Sequence, residues 1–159
     1  MGFTAKSVRV KSTWSHQLRG WVATCAIAAS LAGCSGSNPY DVVEVSGTVT
    51  YEDGSLIPAD SIMLKFEPQA APLDTKTHPR KGFADVNVSD GTFQFATTHQ
   101  HADGLVTGKH KVLVAARSKD SKAANLVPKE YQRPDTTPAE IDTDELPLKI
   151  QVRKPTGGA

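Results

Sequence analysis

Short runs in which apolar and polar residues alternate restrict this chain more than any other feature. Over residues 42–51, Val43, Val45, Val49 and Tyr51 share one side with Gly47 among them, while Glu44, Ser46, Thr48 and Thr50 share the other. A side-chain period of two, carried by β-branched residues, belongs to a strand with one buried face. The period returns with Ile62, Leu64 and Phe66, and less cleanly with Ala84, Val86 and Val88. It returns again with His110, Val112, Val114 and Ala116, and with Leu146, Leu148, Ile150 and Val152. No heptad pattern or long amphipathic helical stretch competes with these runs. The expected fold is all-β, an antiparallel β-sandwich of about seven strands whose half-apolar sheets cover each other's inner faces.

Turn formers separate the runs. Gly54 in Glu52-Asp53-Gly54-Ser55 can take positive φ cheaply. Asp90-Gly91, set between two alternating runs, predicts a tight hairpin with both central residues at positive φ. Residues 68–81 read as a polar loop holding Pro68, Pro72 and Pro79, and residues 97–107 as a connection containing His and Gly. Residues 117–145 are polar and proline-punctuated, with one short helical turn expected at Pro128-Lys129-Glu130-Tyr131. Phe66, Phe93 and Phe95 have the spacing of core residues. Tyr40, Tyr51 and Tyr131 are the rings that could face outward, Tyr131 as a lid on the sandwich edge.

The first 33 residues read as an address. From Trp21 to Gly33 no charge interrupts the chain, and Lys6, Arg9, Lys11 and Arg19 precede this stretch. As a helix it would cover roughly 20 Å, short of the ~30 Å hydrocarbon core of a bilayer. Basic residues, an apolar run and small residues in that order are a secretory signal. Leu31-Ala32-Gly33-Cys34 resembles the lipobox of bacterial lipoproteins. The resemblance implies that signal peptidase recognises Leu31, Ala32 and Gly33, that residues 1–33 are lost, and that Cys34 becomes the lipidated N-terminus. Ser35, Gly36 and Ser37 then begin a flexible polar tether over residues 34–41. Cys25 leaves with the leader and Cys34 is modified, so the mature domain has no disulfide available. Of the 159 residues, the 126 that remain carry 14 basic and 17 acidic side chains, a formal charge of −3, and this acidity argues against a nucleic-acid partner.

Three local patterns together resemble a known domain. Val45-Ser46-Gly47-Thr48-Val49-Thr50-Tyr51 with Gly54 and Leu56, then Asp90-Gly91-Thr92-Phe93, then Gly108-Lys109-His110-Lys111-Val112, are similar to the carboxypeptidase regulatory-like domains. The family implies a transthyretin-like, Greek-key sandwich over residues 42–153, with 154–159 a disordered tail. Pro128-Lys129-Glu130-Tyr131 and the closing strand look like the small exported lipoproteins of this type in planctomycete bacteria. A tyrosine is common in the family where His110 stands, so this chain departs there. The motifs mark turns and strand starts, and none is catalytic. His78, His99, His101 and His110 are followed three residues later by Lys81, Ala102, Gly104 and Leu113, so no His-x-x-Glu zinc pair exists. The chain also lacks the Tyr-Arg-Gly-Ser tail of transthyretin-like hydroxyisourate hydrolases.

The remaining chemistry is sparse. His99, His101 and Asp103 alternate along one segment and are the best metal candidates, but a zinc site needs three or four supported ligands, and solvated loop residues is the reading adopted. Glu140-Ile141-Asp142-Thr143-Asp144-Glu145 offers oxygens at alternating positions without the glycine turn of a calcium loop. Ser46, Ser61 and Ser89 lie at strand or turn positions, with no nucleophile elbow and no phosphate loop. Asp53 and Asp90 belong to turns. Trp14 and Trp21 both precede Cys34, so the mature chain has no tryptophan for a sugar platform. The expectation is a non-enzymatic module without cofactor, lipid-anchored at the cell or outer membrane and facing the periplasm or exterior. It would serve in structure, adhesion or protein interaction, with an envelope protein or glycan as partner. The alternative is a carbohydrate- or metal-binding envelope module.

Overall fold

The computed structural model describes residues 38–119 and 125–155. The expected leader, Leu31 to Cys34, the start of the tether and residues 156–159 lie outside them.

The described residues form an all-β sandwich. A three-stranded sheet is ordered β5 (Thr92–Phe93), β2 (Gly47–Tyr51), β9 (Leu148–Val152). A four-stranded sheet is ordered β4 (Gly82–Val86), β3 (Ser61–Pro68), β7 (Lys109–Arg117), β8 (Glu140–Asp142). A separate ladder joins β1 (Val42–Val43) to β6 (Leu105–Val106). Every pairing of these strands is antiparallel except β2 with β9, which runs parallel from Gly47↔Leu148 to Tyr51↔Val152. The chain leaves β8 in one sheet and enters β9 in the other, and this change of sheet sets the parallel sense.

Nine strands stand where about seven were expected. The first alternating run divides after Val43, because residues 42–43 pair with β6 while Gly47 onward pairs with β5 and β9. β6 forms without any alternation of its own. Gly47 is required by close approach: a Cβ there would collide with the Leu148 carbonyl oxygen and lie 2.9 Å from the Leu148 Cβ. The expected inward residues of β2, β3, β7 and β9 line the core, with Val49, Leu64, Phe66, Val114 and Val152 fully buried. Phe66 and Phe93, from opposite sheets, meet with centroids 6.1 Å apart, and His110 sets its ring edge-on to Phe66 at 6.3 Å.

Local details differ from the expectation. Gly91 takes φ +73°, but Asp90 keeps negative φ. The hairpin is a four-residue loop, 88–91, closed by Gly91 N–H donating to the Asn87 carbonyl at 2.8 Å. The Asp90 carboxylate accepts from the Thr92 N–H at 2.9 Å, which favours this wider turn over a two-residue one. Leu146 is 45% exposed and precedes the strand. Pro147 has no N–H for a ladder, so β9 starts at Leu148. Phe95 is 42% exposed and is not a core residue. Phe93 and Ala96 are buried three apart, because residues 94–97 cross from β5 to bridge Phe83 on the other sheet and lose the period of two. The short helical turn is present as a 3-10 helix at Lys129–Gln132 with Tyr131 buried. The Tyr131 hydroxyl accepts the Arg153 N–H at 3.1 Å, and Tyr51 donates to the Leu126 carbonyl at 2.8 Å. Both rings are buried, and neither is available as an outward platform.

Candidate functional site

Polar side chains gather at one end of the sandwich, around the entry of the chain at Tyr40. The β3–β4 connection springs from Pro68 and Gly82, and residues 98–104 run past the same end. Thr97 pairs antiparallel with Phe83, and the Thr98 methyl would lie 3.4 Å from a Cβ on Gly82.

Asp103 builds the 98–104 loop. Its carboxylate accepts the N–H groups of Thr98 at 2.6 Å, His99 at 2.8 Å and Gln100 at 2.9 Å, and the Thr98 hydroxyl at 2.9 Å. Desolvation works to raise its pKa, but these hydrogen bonds together hold it below the usual carboxylate value. A carboxylate so engaged has little capacity left for a metal. The His101 ring stands edge-on to Phe95 with centroids 4.8 Å apart. His99, His101 and Asp103 therefore do not converge, and no group of three or more potential metal ligands occurs among the described residues.

The 69–81 loop is built in the same manner around Asp74. Its carboxylate accepts the Lys76 and Thr77 N–H groups, each at 2.7 Å, and the Thr77 hydroxyl at 2.9 Å. The bond from Lys76, then those from Thr77, lower its pKa. Tyr40 locks this loop to the incoming chain. Its hydroxyl accepts the Leu73 N–H at 3.1 Å and donates to the Thr77 carbonyl at 3.0 Å, with the Ala71 carbonyl sharing the proton at 3.3 Å. The Asp41 carbonyl accepts the Thr107 N–H at 3.0 Å. Within the expected tether, the chain is thus bound to the domain from Tyr40 onward. Nothing in the sequence around Tyr40 signals this role, because its partners lie more than thirty residues away.

The acidic run becomes β8 and the following turn. Glu140 pairs with Lys111 at 2.5 Å, which lowers the Glu140 pKa. The Asp142 carboxylate accepts the Asp144 N–H at 3.2 Å. A shallow groove of about 340 Å³ runs from Glu140 along Glu145 and Pro147 to Lys149. Asp53 and Asp90 serve their turns, Asp53 accepting the Ser55 N–H at 3.0 Å and the Ser55 hydroxyl at 2.6 Å. Ser89 donates its hydroxyl to the Asn87 side chain at 2.8 Å.

His110 is fully buried. Its Nε2 lies 2.6 Å from the Val106 carbonyl, whereas Nδ1 has no hydrogen-bond partner. The short contact is a donation from Nε2, which leaves Nδ1 as an unprotonated acceptor. Burial lowers its pKa against the opposing effects of the Val106 bond and the Asp142 charge. Cys34, with Leu31, Ala32 and Gly33, lies outside the described residues. Comparison with family models, characterised proteins and solved structures finds no match.

Proposed function

We propose that this chain is a lipid-anchored, non-enzymatic β-sandwich of the bacterial cell envelope, acting in protein interaction, adhesion or scaffolding. The observation that carries this reading is Leu31-Ala32-Gly33-Cys34 at the end of an uncharged run, a few polar residues before the sandwich begins. The resemblance to carboxypeptidase regulatory-like domains, with their transthyretin-like topology, supports a module whose residues build strands and turns. The acids at Asp53, Asp74, Asp90 and Asp103 are engaged in loop hydrogen bonds, which also favours a binding role over a catalytic one. Metabolic labelling with radioactive palmitate tests the reading. Label should enter the chain and disappear with Cys34→Ala; label persisting in that variant overturns the anchor.

A glycan-binding alternative draws on one observation. Phe83 and Phe95 are 43% and 42% exposed, His101 stands against Phe95, and Phe83 pairs with Thr97, two residues beyond Phe95. Exposed rings of this kind can stack on a sugar face. Saturable binding on a glycan array, removed by Phe95→Ala, would favour this alternative. The metal-binding alternative loses support from the commitment of Asp103 to its own loop.

A further inference from the structure

We propose that the 69–81 loop is a second membrane contact, resting on anionic lipid headgroups beside the acylated Cys34. The inference rests on the lipid-anchor reading and adds an orientation to it. Tyr40 lies six residues after Cys34, so the chain between them spans at most about 21 Å when fully extended. At Tyr40 the chain is hydrogen-bonded into the 69–81 loop through Leu73, Thr77 and Ala71. The loop is therefore fixed to the point at which the chain coming from the anchor joins the domain.

The loop also has the surface for this partner. Leu73 is 61% exposed, more than any other large hydrophobic side chain among the described residues. Lys76, Arg80 and Lys81 stand against Asp74, a net charge of +2, whereas the rest of the mature chain carries 11 basic and 16 acidic side chains. Asp74 points both oxygens at its own turn. Lys81 pairs with Glu67 at 2.6 Å, while Lys76 and Arg80 make no ion pair among the described residues. An exposed apolar residue flanked by cations suits an interface in which apolar insertion and attraction to anionic lipid act together. The acidic turn after β8 lies two strands from β3, about 10 Å away at the usual strand spacing. Its repulsion from the same headgroups tilts the β3–β4 corner toward the bilayer.

The absence of tryptophan from the mature chain provides the test. Leu73→Trp is introduced into the full-length precursor, and the protein is purified from bacterial membranes and reconstituted in brominated phosphatidylcholine vesicles with or without phosphatidylglycerol. Gln151→Trp, at an exposed position of β9, is the control. Emission from the Leu73→Trp protein should be quenched only with phosphatidylglycerol, and the control should stay bright. Salt at 1 M, where the screening length is about 3 Å, should relieve the quenching, as should Lys76→Glu with Arg80→Glu. Protein that stays on the vesicles with an unquenched reporter, or with equal quenching in both lipids, overturns the inference and leaves the anchor intact. A reporter that responds only to added acidic protein or polysaccharide overturns it in favour of a soluble partner. Mass spectrometry finding residues 1–33 retained and Cys34 unmodified overturns the anchor itself, and the inference falls with it.

Discussion

The interior between the sheets and the loop end beside Tyr40 are held together by opposite means. In the interior, apolar side chains meet one another across the two sheets, as Phe66 meets Phe93, and His110 is a polar intruder with one nitrogen unpaired. At the loop end, side-chain oxygens of Asp103, Asp74 and Tyr40 satisfy main-chain N–H groups of segments that no ladder pairs. The first arrangement draws on burial and fails when volume is lost. The second is directional and fails when a single acceptor is lost.

The largest expected effect lies in the interior. Phe66→Ala should destabilise the fold by about 3–5 kcal/mol in urea unfolding, as for a large ring removed from a packed core. A loss below about 1 kcal/mol would mean that the ring pair does not join the sheets. At the loop end, Asp103→Ala should cost about 2 kcal/mol, since the part-buried Thr98 N–H and the exposed N–H groups of His99 and Gln100 all lose one charged acceptor. Hydrogen exchange should locate the damage at Thr98, His99 and Gln100, and uniform exchange across the domain would contradict a local role.

Acid separates the two regions. His110 has a lowered pKa in the fold, so the unfolded chain binds its proton first, and stability falls as pH drops below about 6.5. The loss approaches about 1.4 kcal/mol per pH unit until the buried ring itself protonates. His110→Phe should flatten this limb in thermal melts run between pH 7 and about 4.5. The Asp103 and Asp74 contributions have the opposite origin: hydrogen bonds favour their charged forms, so the stability is fully present above the ordinary 3.8 and is lost as pH falls below that value through the lowered folded pKa. A melting temperature that is flat from pH 7 to 5 would remove His110 from the account. The smallest effect belongs to Tyr40→Phe, about 1 kcal/mol for a partly exposed hydroxyl in urea unfolding, because the Leu73 N–H keeps the Thr77 carbonyl at 3.0 Å as an acceptor.

The same contrast explains what could be read in advance. The strands carrying Val49, Leu64, Phe66, Val114, Ile150 and Val152 were legible because one buried face imposes a period of two on consecutive residues. Phe95 was misread by the same rule, since the chain changes sheets between Phe93 and Ala96 and the period has no meaning across a crossing. Leu146 was misplaced because Pro147 delays the strand. At the loop end, Asp103 was legible only as a possible ligand, and its use as a loop staple appears once Thr98, His99 and Gln100 turn their N–H groups toward it.

The amino-acid sequence alone determined the faces of the main strands, the turn positions and a Leu-Ala-Gly-Cys pattern resembling a lipobox at Cys34, because each depends on residues adjacent in the chain. Only the tertiary structure decided that β9 runs parallel to β2, that His110 leaves a nitrogen unpaired, and that Tyr40 ties the incoming chain to the Leu73 loop. Those features need partners tens of residues apart, and hydrophobic periodicity carries no information about which distant segment will stand opposite.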